Sequence, residues 1–424
     1  MAGTASSESF NRGRWIIWSA TALVMIVLPL IFAKGGEIML LSQMGLTIIF
    51  ALSYNMLLGQ SGMLSFGHAV YSGLGAYFAI HAMNLMTKGQ LPVSITLLPL
   101  VGGLAGLVFG VIFGYVSTKR AGTTFAMISL GLGELVFACS LMFPGFFGGE
   151  GGISGNRAIG APVLGIDYKS GIQVYYLIAG WCFVCMVAMY AFTQTPLGRL
   201  ANAVRDNPER VEFIGYDTQK VRWFVLIVSG FFAGISGGLS AILFEIVTAE
   251  NVSGIRSGGI LLATFIGGAI FFFGPILGAC IFTFFVVALS EFTKAWLLYL
   301  GAFFVLMVMY APGGVAGLIL MQFPVVKAGH FRRMRRPYGI ALVAALPLLA
   351  GIIMTIEMTY HYSLELANGS TMKLWGFTLD VATSGPWLIG GALLVIGGVV
   401  FAKAWGGVRA QWDAIQTDMA GARA

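Results

Sequence analysis

The chain has 424 residues, of which 58% are hydrophobic and only 10% charged, where an ordinary soluble domain carries roughly 25% charged residues. The formal charge of +7 does not describe a nucleic-acid-binding face, because the basic residues lie between apolar runs instead of interleaving with polar surface. Composition excludes a water-soluble enzyme and points to a protein whose main solvent is lipid.

A membrane-spanning helix needs about 20 mostly apolar residues, because each advances about 1.5 Å through a hydrocarbon core about 30 Å thick. In chain order, such segments fall at about 15–33, 38–58, 66–86, 91–116, 121–143, 173–193, 223–245, 258–273, 275–292, 294–310, 338–356 and 386–404. They predict an all-α fold, a polytopic transmembrane helical bundle of about 10–12 spans. The first segment follows Arg12 and Arg14, is long for a signal-peptide core and lacks a small-residue cleavage site, so it reads as a retained span. With twelve spans and a cytoplasmic N-terminus, seventeen of the 24 Lys and Arg residues, Arg423 among them, fall on the inside. The positive-inside rule then places both termini in the cytoplasm.

Gly102, Gly106, Gly110 and Gly114 recur at every fourth position, as do Gly230, Gly234 and Gly238, and each set marks a helical face for close backbone packing. The external segment from Pro144 to Ser170 is glycine-rich around Glu150 and Arg157. It lacks the GxxxxGK[ST] pattern, so the chain carries no P-loop ATPase of its own. Cys182 and Cys185 form a CxxC inside an apolar run with no second ligand pair at zinc spacing, and no metal site is expected there. No Ser, His and Asp set and no HExxH motif suggests catalysis.

Between the sixth and seventh segments, Thr195 to Arg222 holds nine charged residues. At about 2.5–3.5 kcal/mol for each central charge, this stretch does not enter the bilayer. Thr195-Pro196 and Asn207-Pro208 are helix-start signals, and Gly215 suits a stop. Two short cytoplasmic helices follow, the second with Val211 and Ile214 on one side as a surface for a soluble partner to grip. The bland reading is a solvated loop.

The residues ALSYNMLLGQSGMLSFGHAVYSGLGAY (51–77), FAMISLGLGELV (125–136), TPLGRLANAVRDNPERVEFIGYD (195–217), SGFFAGISGGLSA (229–241), FGPILGA (273–279) and APGGVAGLI (311–319) occur in one order. In that arrangement the chain resembles the permease subunits of branched-chain amino acid ABC transporters, in their LivM-like branch. The resemblance implies three regions: a cytoplasmic N-terminus and first helix (1–37), a permease core with coupling loop 195–222 (38–319), and an extension (320–424) without a family role. It implies that Arg205, Asp206, Asn207, Glu209, Arg210, Glu212 and Gly215 face or shape an ATPase subunit. It further implies a second, LivH-like permease, two cytoplasmic ATPases that hold ATP and Mg, an extracytoplasmic binding protein, and a bacterial inner membrane location. The chain itself would bind no cofactor. Relatives of this architecture are also similar to urea and short-amide permeases, and an ion-coupled secondary transporter is the rival from another class.

Polar residues inside the apolar segments are the candidates for a translocation path. Glu134 lies mid-segment, where a carboxylate normally faces a bundle interior or aqueous cavity and finds a partner. Asn55 and Gln60 bracket the glycine turn at Gly59, where an irregular break needs protein or water partners, and His68 opens the third segment. Each also has a purely structural reading as a packing or hydrogen-bonding residue. In the extension, Lys327, Arg332, Arg333, Arg335 and Arg336 form a basic cluster expected to fix topology and contact anionic lipid.

Overall fold

The computed structural model describes residues 12–91, 93–159, 168–366 and 369–421. The first eleven residues, residues 160–167 of the glycine-rich segment and Arg423 lie outside the described residues. The helices are α1 (Arg12–Ile31), α2 (Gly35–Ser61), α3 (Ala69–Thr87), α4 (Leu98–Ser117), α5 (Gly122–Met142), α6 (Pro144–Phe147), α7 (Gly171–Gln194), α8 (Pro196–Asp206), α9 (Pro208–Phe213) and α10 (Thr218–Phe244). They continue with α11 (Gly254–Gly267), α12 (Gly274–Thr283), α13 (Ser290–Phe292), α14 (Trp296–Tyr310), α15 (Gly314–Lys327), α16 (Phe331–Tyr360) and α17 (Ser384–Gly421). Short 3-10 and π-helical turns join them, with two antiparallel strand pairs: β1 (Ile153–Ser154) with β2 (Ile246–Val247), and β3 (Thr371–Leu374) with β4 (Phe377–Asp380). The chain divides into two compact units, residues 1–288 with 304–316, and residues 289–303 with 317–424.

The fold is an all-α polytopic bundle. Among the described residues, eight helices are long and apolar enough to cross a membrane, and the bent pair α14 and α15 makes nine. The twelve apolar segments do not all become independent spans, for physical reasons. At 14 residues α11 is about 21 Å long, too short for a hydrocarbon core of about 30 Å. The residues before it, 245–253, are β2 and a 3-10 turn packed along α3. The segment expected at 258–273 is thus a half-helix preceded by irregular chain. By contrast α3 is long enough but carries His81 and Asn84. It tolerates them because residues 69–80, all but Phe78, are sealed by protein and meet little lipid. Lastly, the stretch that follows the predicted span 294–310 is helical as well, as α15.

In the first unit α10 is buried along most of its length and packs against α4, α3 and α2. The two glycine stripes meet there. A Cβ on Gly106 would fall on the Gly230 carbonyl oxygen, one on Gly234 on the Gly102 carbonyl oxygen, and one on Gly237 on the Ser72 carbonyl oxygen. Backbone touches backbone, so dispersion and Cα–H···O contacts replace side-chain interlocking, as lipid supplies no hydrophobic drive between helices. Cys182 and Cys185 are free thiols buried in α7.

In the second unit α16 and α17 run antiparallel, with Gly351 against Leu393 and Leu394, and Gly397 against Leu348. Both helices extend past the predicted spans, so Arg332, Arg333, Arg335 and Arg336 occupy the start of α16 and Arg333 bonds Asp418 of α17 at 2.9 Å. Glu357 accepts from Thr293 at 2.7 Å and Tyr299 at 2.9 Å, and Lys294 pairs with Glu365. Trp375 and Gly376, both at positive φ, turn the β3–β4 hairpin.

Gly106→Leu should lower the melting point of the detergent-purified protein by several degrees, an overpacking cost of about 3 kcal/mol. Gly180→Ala in α7, where a Cβ meets open space, should leave it equal or higher.

Candidate functional site

The charged stretch after α7 folds as its signals require. Thr195 Oγ1 accepts from the Gly198 amide at 3.2 Å and caps α8, whose first residue is Pro196. Asn207 Oδ1 accepts from the Arg210 amide at 3.0 Å and caps α9, which starts at Pro208. Gly215, at φ +90°, turns the chain into α10, where Asp217 Oδ1 accepts from the Lys220 amide at 3.1 Å. That bond, with the Lys220 ammonium 3.6 Å away, holds Asp217 below the usual carboxylate range. Thr218 donates to Glu212 at 2.8 Å and ties α9 to the start of α10.

One face of this pair is locked to the bundle. Gly198, Ala201 and Val204 of α8 are buried against α2, α7 and α10, and Val211 of α9 is buried as well. Arg205 donates to the Gly59 carbonyl and lies against Gly62, and Asn202 donates to Gln60 Oε1 at 3.0 Å. Gly62, at φ +70°, ends α2, so α8 grips the end of that helix. The other face is open: Phe213 is 90% exposed, Ile214 65% and Tyr216 53%. Val211 and Ile214 therefore do not share one partner-facing side, as the sequence suggests. Val211 is the anchor, and the exposed apolar knob is Phe213, Ile214 and Tyr216. Asp206, Glu209, Arg210 and Glu212 are exposed around it, while Arg205 turns inward.

Beyond Gly62 the chain climbs back along α2 as extended backbone until α3 starts beside Ser53. Side chains satisfy this break: Tyr54 donates to the Ser65 carbonyl at 2.9 Å, Ser129 accepts from the Phe66 amide at 3.0 Å, and Ser257 accepts from the Ala69 amide at 2.9 Å. Gly67 lies where a Cβ would strike the Ser129 carbonyl. His68 is fully buried, stacked on Phe50 and edged by Tyr54 and Tyr71. Ser53 spends its proton on the Phe50 carbonyl at 2.7 Å, so His68 Nε2 donates to Ser53 Oγ at 3.0 Å and Nδ1 stays an acceptor. That Nδ1, like the buried Asn55 Oδ1, has no partner among the described residues.

The four polar candidates therefore separate. Asn55 and His68 are sealed inside the bundle at the break, and Gln60 is bonded to the coupling helix. Glu134 differs from expectation: it is exposed on α5, with no hydrogen bond or ion pair from its carboxylate among the described residues. It sits over Gly254 at the start of α11, 3.1 Å from where a Cβ would stand. Sequence reasoning missed Asn202, Phe213, Tyr216, Ser129, Ser257 and Arg256, the last because it directly precedes an apolar run and reads as loop.

A sequence model of the family described as branched-chain amino acid transport system, permease component, matches residues 38–312. The chain belongs to this family of membrane permeases. It is 25% identical over 329 residues to the high-affinity branched-chain amino acid transport system permease protein LivM of Escherichia coli, covering 72% of this chain and 75% of the relative. The LivM protein of Salmonella typhimurium is 24% identical over 332 residues, 73% of this chain and 75% of the relative. The ribose import permease protein RbsC of Haemophilus influenzae is 25% identical over 243 residues, 54% of this chain and 71% of the relative. No solved structure matches.

Asn207→Ala removes the cap of α9 at about 1 kcal/mol and should raise amide hydrogen exchange across 208–213 roughly fivefold, with α10 unchanged. Because folding favours the Asp217 carboxylate, its cap holds above about pH 4, the ordinary range of an aspartate, and is lost as pH falls below it. Exchange at the first turn of α10 should rise there, and Asp217→Asn should flatten that rise.

Proposed function

We infer that this chain is one permease half of an ATP-driven importer in a bacterial inner membrane, moving branched-chain or related small amino acids inward. It pairs with a second related permease, with two cytoplasmic ATPases that hold ATP and Mg, and with an extracytoplasmic binding protein. The observation that carries this reading is the two-faced coupling stretch. Its apolar knob, Phe213, Ile214 and Tyr216, stands in water where unpartnered exposure is costly, and its other face grips the end of α2. Family membership supports the same reading.

The knob takes the ATPase contact and α8 and α9 move with it as a capped unit. Arg205 and Asn202 pass the displacement to Gly59 and Gln60, at the point where α2 gives way to the break leading into α3. Force from ATP closure therefore arrives where the backbone is least constrained by helix geometry. Leucine, isoleucine and valine fit the LivM relatives' names, whereas the name of RbsC is that of a ribose permease.

Burying two apolar side chains the size of Phe213 and Ile214 is worth about 3 kcal/mol, roughly a hundredfold in affinity. Replacing both with Asp should release the ATPases from the purified complex and reduce ATP-driven leucine uptake in proteoliposomes at least tenfold, with membrane insertion intact. Uptake driven by an ion gradient without ATPase subunits would refute the importer reading.

A further inference from the structure

Arg256 lies in the first turn of α11, which begins beside the break: its neighbour Ser257 caps α3 by accepting from the Ala69 amide at 2.9 Å. The Arg256 guanidinium lies over the Phe50 ring, 5.9 Å from its centroid, and Phe50 stacks on His68 from its other partner ring at 5.5 Å. Among the described residues no carboxylate pairs with it and no carbonyl accepts from it. Arg256 is half-buried, and a guanidinium drawn partly out of water without a counter-charge is costly in a membrane bundle. The cost is recovered when an anion arrives.

The surroundings favour one. Ser253 caps α11 by accepting from the Arg256 amide at 3.3 Å, which leaves the Gly254 and Ile255 amides and the positive end of the helix dipole at this end of the 14-residue helix. Its Ile255 is 89% exposed, so this turn lies on an open face of the chain. Glu134 stands on the same turn over Gly254, again without a partner among the described residues. Two unpaired charges of opposite sign thus meet one exposed half-helix end. A neutral sugar complements neither charge, and a zwitterion complements both.

We propose that Arg256, with the amides of the α11 first turn, is a carboxylate-binding station on the translocation path, and that Glu134 gives the ammonium end of the same cargo its counter-charge. This rests on the permease reading and adds a site to it. Planar guanidinium donors match a carboxylate in paired geometry, which a lysine ammonium does not reproduce.

The test uses the complete transporter, with its partner permease and ATPases, in nanodiscs without the binding protein. Equilibrium binding of labelled leucine is competed with leucinamide, which lacks the carboxylate charge, and with 4-methylpentanoate, which lacks the ammonium. The wild type should prefer leucine to each competitor at least tenfold. Arg256→Gln should abolish the preference over leucinamide while leaving leucinamide binding unchanged, Arg256→Lys should restore it in part, and Glu134→Gln should abolish the preference over 4-methylpentanoate. A merely structural Arg256 would weaken all three ligands together. Discrimination retained in Arg256→Gln, or no leucine binding by the wild type, overturns the station. If ATP-driven uptake of ribose persists in that case, the importer reading stands without it, whereas loss of all ATP-driven uptake by the wild type removes both.

Discussion

Backbone that leaves helical geometry inside a membrane has no water to bond, and every group it exposes must be matched by protein. This constraint organises the first unit. The break between α2 and α3 survives because Tyr54, Ser129 and Ser257 reach it from three different helices. Those three side chains fix where α5 and α11 lie relative to α2, and the half-helix α11 starts at the break because its Ser257 is needed there. The close glycine packing of α10 goes with two further serine bonds into α2: Ser229 donates to the Ser53 carbonyl at 2.6 Å and Ser236 to the Leu46 carbonyl at 2.9 Å.

The coupling stretch depends on that break from the other side. Thr195, Asn207 and Asp217 cap α8, α9 and α10 in turn, and Thr218 donates to Glu212 and ties α9 to the start of α10. Arg205 and Asn202 bond Gly59 and Gln60, in the last turn of α2 before irregular chain begins. In the proposed importer, a displacement applied outside the membrane is delivered to a point that can yield, whereas two intact helices joined by a tight turn would resist it. The start of α11 lies beside the same break, where Ser257 accepts from the Ala69 amide.

Much of this was legible in the sequence. Apolar run length announced the bundle, the Thr-Pro and Asn-Pro pairs located α8 and α9, and the every-fourth glycines identified the faces that meet. These signals are local: hydrophobicity, capping and helical period depend on residues within one or two turns. Where two signals coincided, as charge and caps did at 195–222, a functional segment stood out from its apolar neighbours.

What only the tertiary structure decided is which partners distant residues find. Gln60 and Glu134 look alike in sequence, polar residues in apolar surroundings, yet one is bonded to Asn202 of the coupling helix and the other stands exposed over Gly254. Val211 and Ile214 share a helical face by spacing, but α9 is one and a half turns long and ends between them, so one is buried and the other open. Arg256 reads as a loop residue until α11 is seen to start beside Ala69, at the break between α2 and α3. Length and apolarity determine that a segment enters the membrane, because transfer free energy is a sum over its own residues. Where it breaks, and what its polar groups meet there, is set by contacts between residues as far apart as 69 and 257, which no local pattern records.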